Sequence, residues 1–243
     1  MKPFLLLATR AEDTAADEEY AAYLRCGGLA RGQLHRVRLE AGPLPAVDLE
    51  QYSGIILGGS PFTSSDPPEG KSGVQLRVEA ELMALVDRVV EADFPFFGAC
   101  YGIGTLGRIR GGRVDGQFGE PISAVAVELA DGAAADPLLS GVPRRFKAFV
   151  GHKEACSVLP AGAVRLAGSA ACPVQMFRVG SNVYATQFHP ELDEAGLITR
   201  ISVYRNAGYF PPAEADDVVA SIRGHDVHVP QRIMANFVRR YAS

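Results

Sequence analysis

Several features that would place this chain in a familiar class are missing. None of the four cysteines, Cys26, Cys100, Cys156 and Cys172, belongs to a CxxC pair, and no Cys/His cluster has zinc-ligand spacing. Cysteines of this kind in a reducing compartment are free, small, buried hydrophobes, so packing is the first account of each. No block of like charges breaks the sequence, and the net charge is −4, which leaves neither nucleic acid nor an anionic membrane surface as the main partner. No apolar run approaches eighteen residues. The first, Phe4 to Ala8, is too short for a signal-peptide core and far too short to span a bilayer, so the protein is expected to be cytoplasmic. There is no P-loop lysine motif, internal repeat or low-complexity linker. No metal and no cofactor is expected.

What is present suits a single α/β unit. The 243 residues are 47% hydrophobic and 21% charged, ordinary for a globular enzyme and long enough to bury a sizeable core. The continuously apolar Phe4 to Ala8 reads as a buried strand of a parallel sheet. Asp13 or Thr14 would cap a helix running to about Cys26, stopped by Gly27-Gly28. Strands follow at His35 to Leu39 and Tyr52 to Leu57. Pro61 to Gly73 reads as a loop. A helix from Val74 to Val90 would bury Leu76, Ala80, Met83, Ala84, Val86 and Val90, and Phe94 to Ala99 is another strand. This alternation predicts an α/β fold: a doubly wound, mostly parallel sheet with helices on both faces.

Residues 113–184 read as a mixed-sheet region, with strands at Ile122 to Leu129, Phe146 to Val150, Val164 to Ala167, Val174 to Arg178 and Val183 to Thr186. The remainder is helical in pattern: Glu194 to Asn206, Glu214 to Arg223 and Val229 to Tyr241. The expected organisation is a catalytic domain over 1–195 and a helical extension over 196–243 packed on it. Leu197, Ile198, Ile201 and Tyr204 would give the first of these helices an apolar face for the sheet.

Three segments carry chemistry. In Gly98-Ala99-Cys100-Tyr101-Gly102 a strand ends at a cysteine flanked by glycines two positions away on either side, the pattern of a nucleophile elbow with Cys in place of Ser. The sharp turn would not admit bulky flanking side chains, and the adjacent helix N-terminus would favour the thiolate. In Gln187-Phe188-His189-Pro190-Glu191, a histidine and a carboxylate joined through proline follow a strand. A cysteine amidase needs a base that returns its proton to the leaving nitrogen, and a carboxylate to orient that base. In Leu57-Gly58-Gly59-Ser60, a glycine pair at a strand end would free backbone N–H groups for an anionic intermediate.

In this order, the three segments resemble the class I (triad) glutamine amidotransferase family, which includes the glutaminase domain of GMP synthase. The resemblance spans roughly the first 195 residues. It implies a flavodoxin-like architecture, with Cys100 as nucleophile, His189 as base and acid, and Glu191 as its orienting group. It also implies an oxyanion hole at the N–H groups of Gly59 and Tyr101, with Gly58 beside it. Val150-Gly151-His152-Lys153-Glu154 is similar to the family segment ahead of the substrate-contacting strand, where His152 would line the pocket or play a structural part. The implied reaction hydrolyses the side-chain amide of L-glutamine through a γ-glutamyl thioester and releases ammonia.

Two departures matter. The family commonly has a substrate-holding glutamine two residues after the second elbow glycine, and here Gly104 stands there. No second large domain follows Glu191. Ammonia would therefore pass to a separate synthetase subunit, or the chain would be a stand-alone hydrolase of another γ-glutamyl amide or peptide. A non-catalytic regulatory subunit is a third reading, which the complete Cys100, His189 and Glu191 set opposes. Homo-oligomerisation is compatible with the sequence.

Overall fold

The computed structural model describes residues 2–242. Its centre is a nine-stranded sheet in the order β2-β1-β3-β4-β11-β10-β9-β6-β7. Strands β1 (Phe4–Ala8), β2 (Leu34–Arg38), β3 (Gly54–Leu57), β4 (Phe96–Ala99) and β11 (Val183–Thr186) form its parallel half. Strands β6 (Glu120–Leu129), β7 (Arg145–His152), β9 (Val164–Ser169) and β10 (Met176–Val179) extend it in antiparallel fashion. A small separate ladder pairs β5 (Arg113–Asp115) with β8 (Ala155–Val158).

Side-chain alternation along β1 explains the layering. Phe4 and Leu6 face one core, with Tyr23 of α1 (Asp13–Gly27) and Ile233, Met234 and Phe237 of α6 (Val229–Tyr241). Leu5 and Leu7 face the other, with Val78, Leu82, Leu85 and Val89 of α2 (Gly73–Glu91) and Ile103 and Leu106 of α3 (Tyr101–Leu106). The doubly wound α/β arrangement with helices on both faces is therefore the one expected. A third core joins Phe149 of β7 to Leu197 and Ile201 of α4 (Glu194–Val203) and to Ile222 of α5 (Ala215–Ile222).

Several local expectations need correction. Helix α2 meets the expectation only in part: Val86 is buried and Met83 and Val90 pack against the core, but Leu76 is 44% exposed, and the buried stripe also includes Val78, Leu82, Leu85 and Val89. Neither Asp13 nor Thr14 caps α1; the N-cap position is Glu12, without a side-chain cap, and Asp13 pairs with Arg38 instead. The first C-terminal helix stops at Val203 rather than Asn206. The loop after β3 is anchored: Glu154 accepts hydrogen bonds from the backbone N–H groups of Ser64 (2.9 Å) and Ser65 (2.6 Å), Lys71 donates to Ser64 O, and Gln75 Nε2 donates to Thr63 O.

Candidate active site

The parallel strands converge on Cys100. It follows β4 directly, with φ 52° and ψ −81°, a conformation unfavourable for any residue with a Cβ. The Cys100 N–H donates to Thr186 O of β11 (2.7 Å), and its carbonyl accepts from Ile103 N–H (2.9 Å), which holds the turn. The flanking glycines serve the predicted purpose unevenly. A Cβ on Gly98 would lie 2.7 Å from Gly102 Cα, so the close approach of strand and helix needs glycine at 98, whereas a Cβ at Gly102 meets nothing.

His189 and Glu191 follow β11, the neighbour of β4. His189 Nδ1 lies 2.9 Å from Glu191 Oε1, both residues are buried, and His189 and Cys100 line the same cavity. Gly59, at the end of β3, completes the grouping. A Cβ there would stand 2.5 Å from His189 Cε1 and 2.8 Å from Arg10 Nη2, so a side chain at 59 and the imidazole exclude each other. Tyr101 opens α3, where backbone N–H groups have no intrahelical acceptor.

Two of the expected binding residues are placed differently. Gly58 N–H is committed to Leu7 O (3.0 Å) and so is unavailable to a ligand. The absence of its Cβ instead makes room for the Glu19 carboxylate, 2.7 Å from where that atom would be. His152 borders the crevice, but both its ring nitrogens are engaged inside the protein, Nδ1 with Glu154 O (2.9 Å) and Nε2 with Glu120 Oε2 (3.0 Å). Of its two readings, the structural one fits this geometry.

The reading from sequence missed a buried ionic array under the histidine. Arg200 of α4 donates through Nη2 to Glu191 Oε1 (2.8 Å), and its Nη1 lies 3.0 Å from His189 Nδ1. Arg10, just after β1, donates through Nε to Glu19 Oε1 (3.0 Å), which also lies 3.5 Å from Arg200 Nη2. Nothing in the spacing of positions 10, 19 and 200 signals this meeting. The one available clue was charge inside otherwise apolar segments, as at Arg200 on the inward face of its helix.

This array sets the protonation states. Burial lowers the His189 pKa below its ordinary 6.5, more than Glu191 raises it, with Arg200 and Arg10 adding to the lowering. Burial opposes charge on Glu191, but its contact with His189 and the positive charge of Arg200 outweigh it and hold the carboxyl far below the usual range. Burial pushes the Cys100 thiol up to about 12, although Arg10 pulls the other way. The resting pair is therefore a neutral thiol beside a neutral imidazole. Against the expectation that the adjacent helix terminus favours the thiolate, burial raises the Cys100 pKa despite the pull of Arg10, and α3 is only six residues long.

Gly104 has a definite neighbourhood. A Cβ there would lie 2.6 Å from Glu154 Oε1 and 2.7 Å from Ser64 Oγ. The space a longer side chain would use is taken by this carboxylate and hydroxyl. Cys100 and His189 also line a cavity of about 50 Å³ bordered by the segment that follows α4. Tyr204 and Tyr209 border it, with the Tyr209 hydroxyl reaching Ser60 O (3.5 Å) and Lys153 Nζ over the Tyr209 ring (4.8 Å) and bonded to Ala207 O (3.2 Å).

The profile of the family "Glutamine amidotransferase class-I" matches residues 23–196. The chain belongs to the class-I glutamine amidotransferase family. Among curated relatives it is 31% identical over 149 residues to the glutamine-hydrolysing GMP synthase subunit of Methanoculleus marisnigri, covering 61% of this chain and 70% of that protein. It is 28% identical over 165 residues to the corresponding protein of Thermococcus kodakarensis, covering 68% and 78%. Against the glutamine-hydrolysing GMP synthase of Thermomicrobium roseum it is 31% identical and covers 68% of this chain but only 29% of that protein. A glutamine amidotransferase crystal structure from Thermotoga maritima superposes with a TM-score of 0.77 at 19% identity, covering 100% of this chain and 99% of that one, and so shares the fold. Among the described residues, no helix is long and apolar enough to cross a membrane.

Proposed function

We propose that this amidotransferase-family protein is a cysteine amidase that hydrolyses the side-chain amide of glutamine or of another γ-glutamyl amide. The observation that carries the reading is the convergence of Cys100 and His189 on one cavity, with Glu191 on Nδ1 of the imidazole. His189, neutral at rest, takes the thiol proton as Cys100 sulfur attacks the amide carbon. The resulting oxyanion lies toward the N–H groups of Gly59 and Tyr101. The C–N bond breaks as imidazolium His189 returns the proton to the departing nitrogen, leaving a γ-glutamyl thioester. His189 then draws a proton from water, which attacks the thioester and releases glutamate and the thiol. Glu191 orients the imidazole and steadies its transient charge.

The relatives named as glutamine-hydrolysing support glutamine as the substrate and a separate synthetase chain as the acceptor of ammonia. The filling of the space beside Gly104 by Glu154 and Ser64 favours a second reading, hydrolysis of a different γ-glutamyl amide. Glutamate release from L-glutamine and from γ-glutamyl amides by wild-type and Cys100→Ala protein tests both. Turnover abolished by the substitution is the expected result. Turnover that survives it would remove Cys100 from the chemistry.

A further inference from the structure

The exits of β1 and β3 are cross-linked at the carboxyl edge of the sheet. Gly58 N–H donates to Leu7 O (3.0 Å), and Thr9 Oγ1 donates to Gly59 O (3.3 Å). Arg10, the residue after Thr9, is thereby carried against Gly59. Both glycines make room for it: Gly58 admits the Glu19 carboxylate, and a Cβ on Gly59 would fall 2.8 Å from Arg10 Nη2. Glu19 Oε1 accepts from Nε (3.0 Å). Among the described residues, neither Nη group hydrogen bonds to a carboxylate or a carbonyl; their neighbour is the Tyr204 side chain, with its ring centroid 5.4 Å from Cζ. Arg10 is buried, and it lines the same cavity as Cys100 and His189. A structural ion pair with Glu19 accounts for Nε and leaves the other end of the fork unexplained. Burial opposes charge on this guanidinium, but Glu19 and Tyr204 more than offset it, so it stays protonated. After burial itself, Arg10 is the strongest influence on the Cys100 thiol, ahead of Arg200, whereas at His189 Arg200 comes ahead of Arg10. Arg10 bears more on the sulfur, and Arg200 more on the imidazole.

We propose that Arg10 is a further catalytic residue, whose Nη groups donate to the amide oxygen as it becomes an oxyanion, beside the N–H groups of Gly59 and Tyr101. This rests on the amidase reading and deepens it. As the Cys100 sulfur bonds to the amide carbon, the carbonyl π pair moves to oxygen and meets the guanidinium. When that pair returns, the carbon–nitrogen bond breaks and the nitrogen leaves with the His189 proton. Attack of water on the thioester forms a second oxyanion in the same place, and its collapse expels the sulfur, which recovers its proton from His189. Arg10 keeps its own protons throughout. Both half-reactions pass through an oxyanion, so the contribution reaches kcat whichever is slower.

The test is steady-state glutamate release from L-glutamine and its γ-methylamide by wild-type, Arg10→Lys, Arg10→Met and Arg10→Met/Glu19→Gln protein, with circular dichroism as the folding control. The double variant removes the buried carboxylate charge that Arg10→Met strands, and it serves if the single one does not fold. The expected kcat falls about 10²–10³-fold in the Met variants, the usual cost of losing one oxyanion donor, while KM stays within about threefold. Arg10→Lys keeps the charge and should recover about tenfold of that loss. A kcat within about threefold of wild type in a folded Met variant, a loss confined to KM, or a Lys variant no better than Met overturns the inference and leaves the amidase reading intact. No glutamate from either substrate with the wild-type protein overturns both.

Discussion

One guanidinium serves two members of the candidate triad: Arg200 Nη2 is 2.8 Å from Glu191 Oε1 while its Nη1 is 3.0 Å from His189 Nδ1. A single ring nitrogen cannot donate to the carboxylate and accept from the guanidinium at once. The imidazole tautomer is thus set by a contest between Glu191 and Arg200, and the positive charge of Arg200 opposes formation of imidazolium.

The pH dependence follows with a definite sign. His189 must be neutral to act as base, and its pKa is lowered below 6.5 chiefly by burial, so kcat/KM holds at and above that pH and falls only as pH drops through the depressed value. Replacing Arg200 with Met removes one lowering influence and strengthens the hold of Glu191, so the acid limb should move toward neutral pH. A pH–rate profile on the best γ-glutamyl amide checks this, and a limb that stays in place would remove Arg200 from control of the histidine.

Gly59→Ala should damage turnover without unfolding the chain. The added methyl would fall 2.5 Å from His189 Cε1, so the ring must move. A displacement on the order of 1 Å from reacting geometry costs about 10²-fold in rate. Steady-state kinetics with circular dichroism as the folding control would detect this, and unchanged kinetics would show that the ring position is not critical.

Glu154→Ala should loosen the loop after β3. The carboxylate accepts from Ser64 N–H, Ser64 Oγ and Ser65 N–H, and its loss leaves the buried Ser64 N–H without that acceptor, while Ser64 Oγ keeps Gly104 O. A cost of about 1–3 kcal/mol is expected. A lowered thermal midpoint together with faster proteolysis within residues 61–73 would report it; equal cleavage rates would mean the loop is held by other contacts.

Phe237→Ala should destabilise the protein by about 3–5 kcal/mol, the usual cost of emptying an aromatic site in a packed core. Its ring contacts Phe4 and Phe97 at centroid distances of 5.9 and 5.5 Å and Tyr241 at 5.0 Å. Denaturant unfolding measures the loss.

The parallel half of the fold was legible because its strands are continuous apolar runs. Phe4 to Ala8 and Val183 to Thr186 match the observed strands at both ends, and the last helix matches at Val229 and Tyr241. The β5–β8 ladder was not, since Arg113–Asp115 is three residues long and mostly polar. The face of α2 was misread in part because apolar residues such as Leu76 and Ala80 occur around its circumference, and only the packed sheet selects among them. Cys100, His189 and Glu191 stood out as local patterns of special residue types. Arg10, Glu19 and Arg200 did not, because their relation is purely spatial, between segments separated by up to 190 positions.

The placement of Phe237 has a consequence for the order of events during translation. Strand β1 emerges first, yet its Phe4 side faces a core that includes α6, more than 200 residues later. Cys100 leaves the ribosome roughly midway through, before His189, Arg200 and Tyr209 exist to set its surroundings. A nascent chain therefore carries the candidate nucleophile before its partners exist, and the candidate site assembles as a late, collective event.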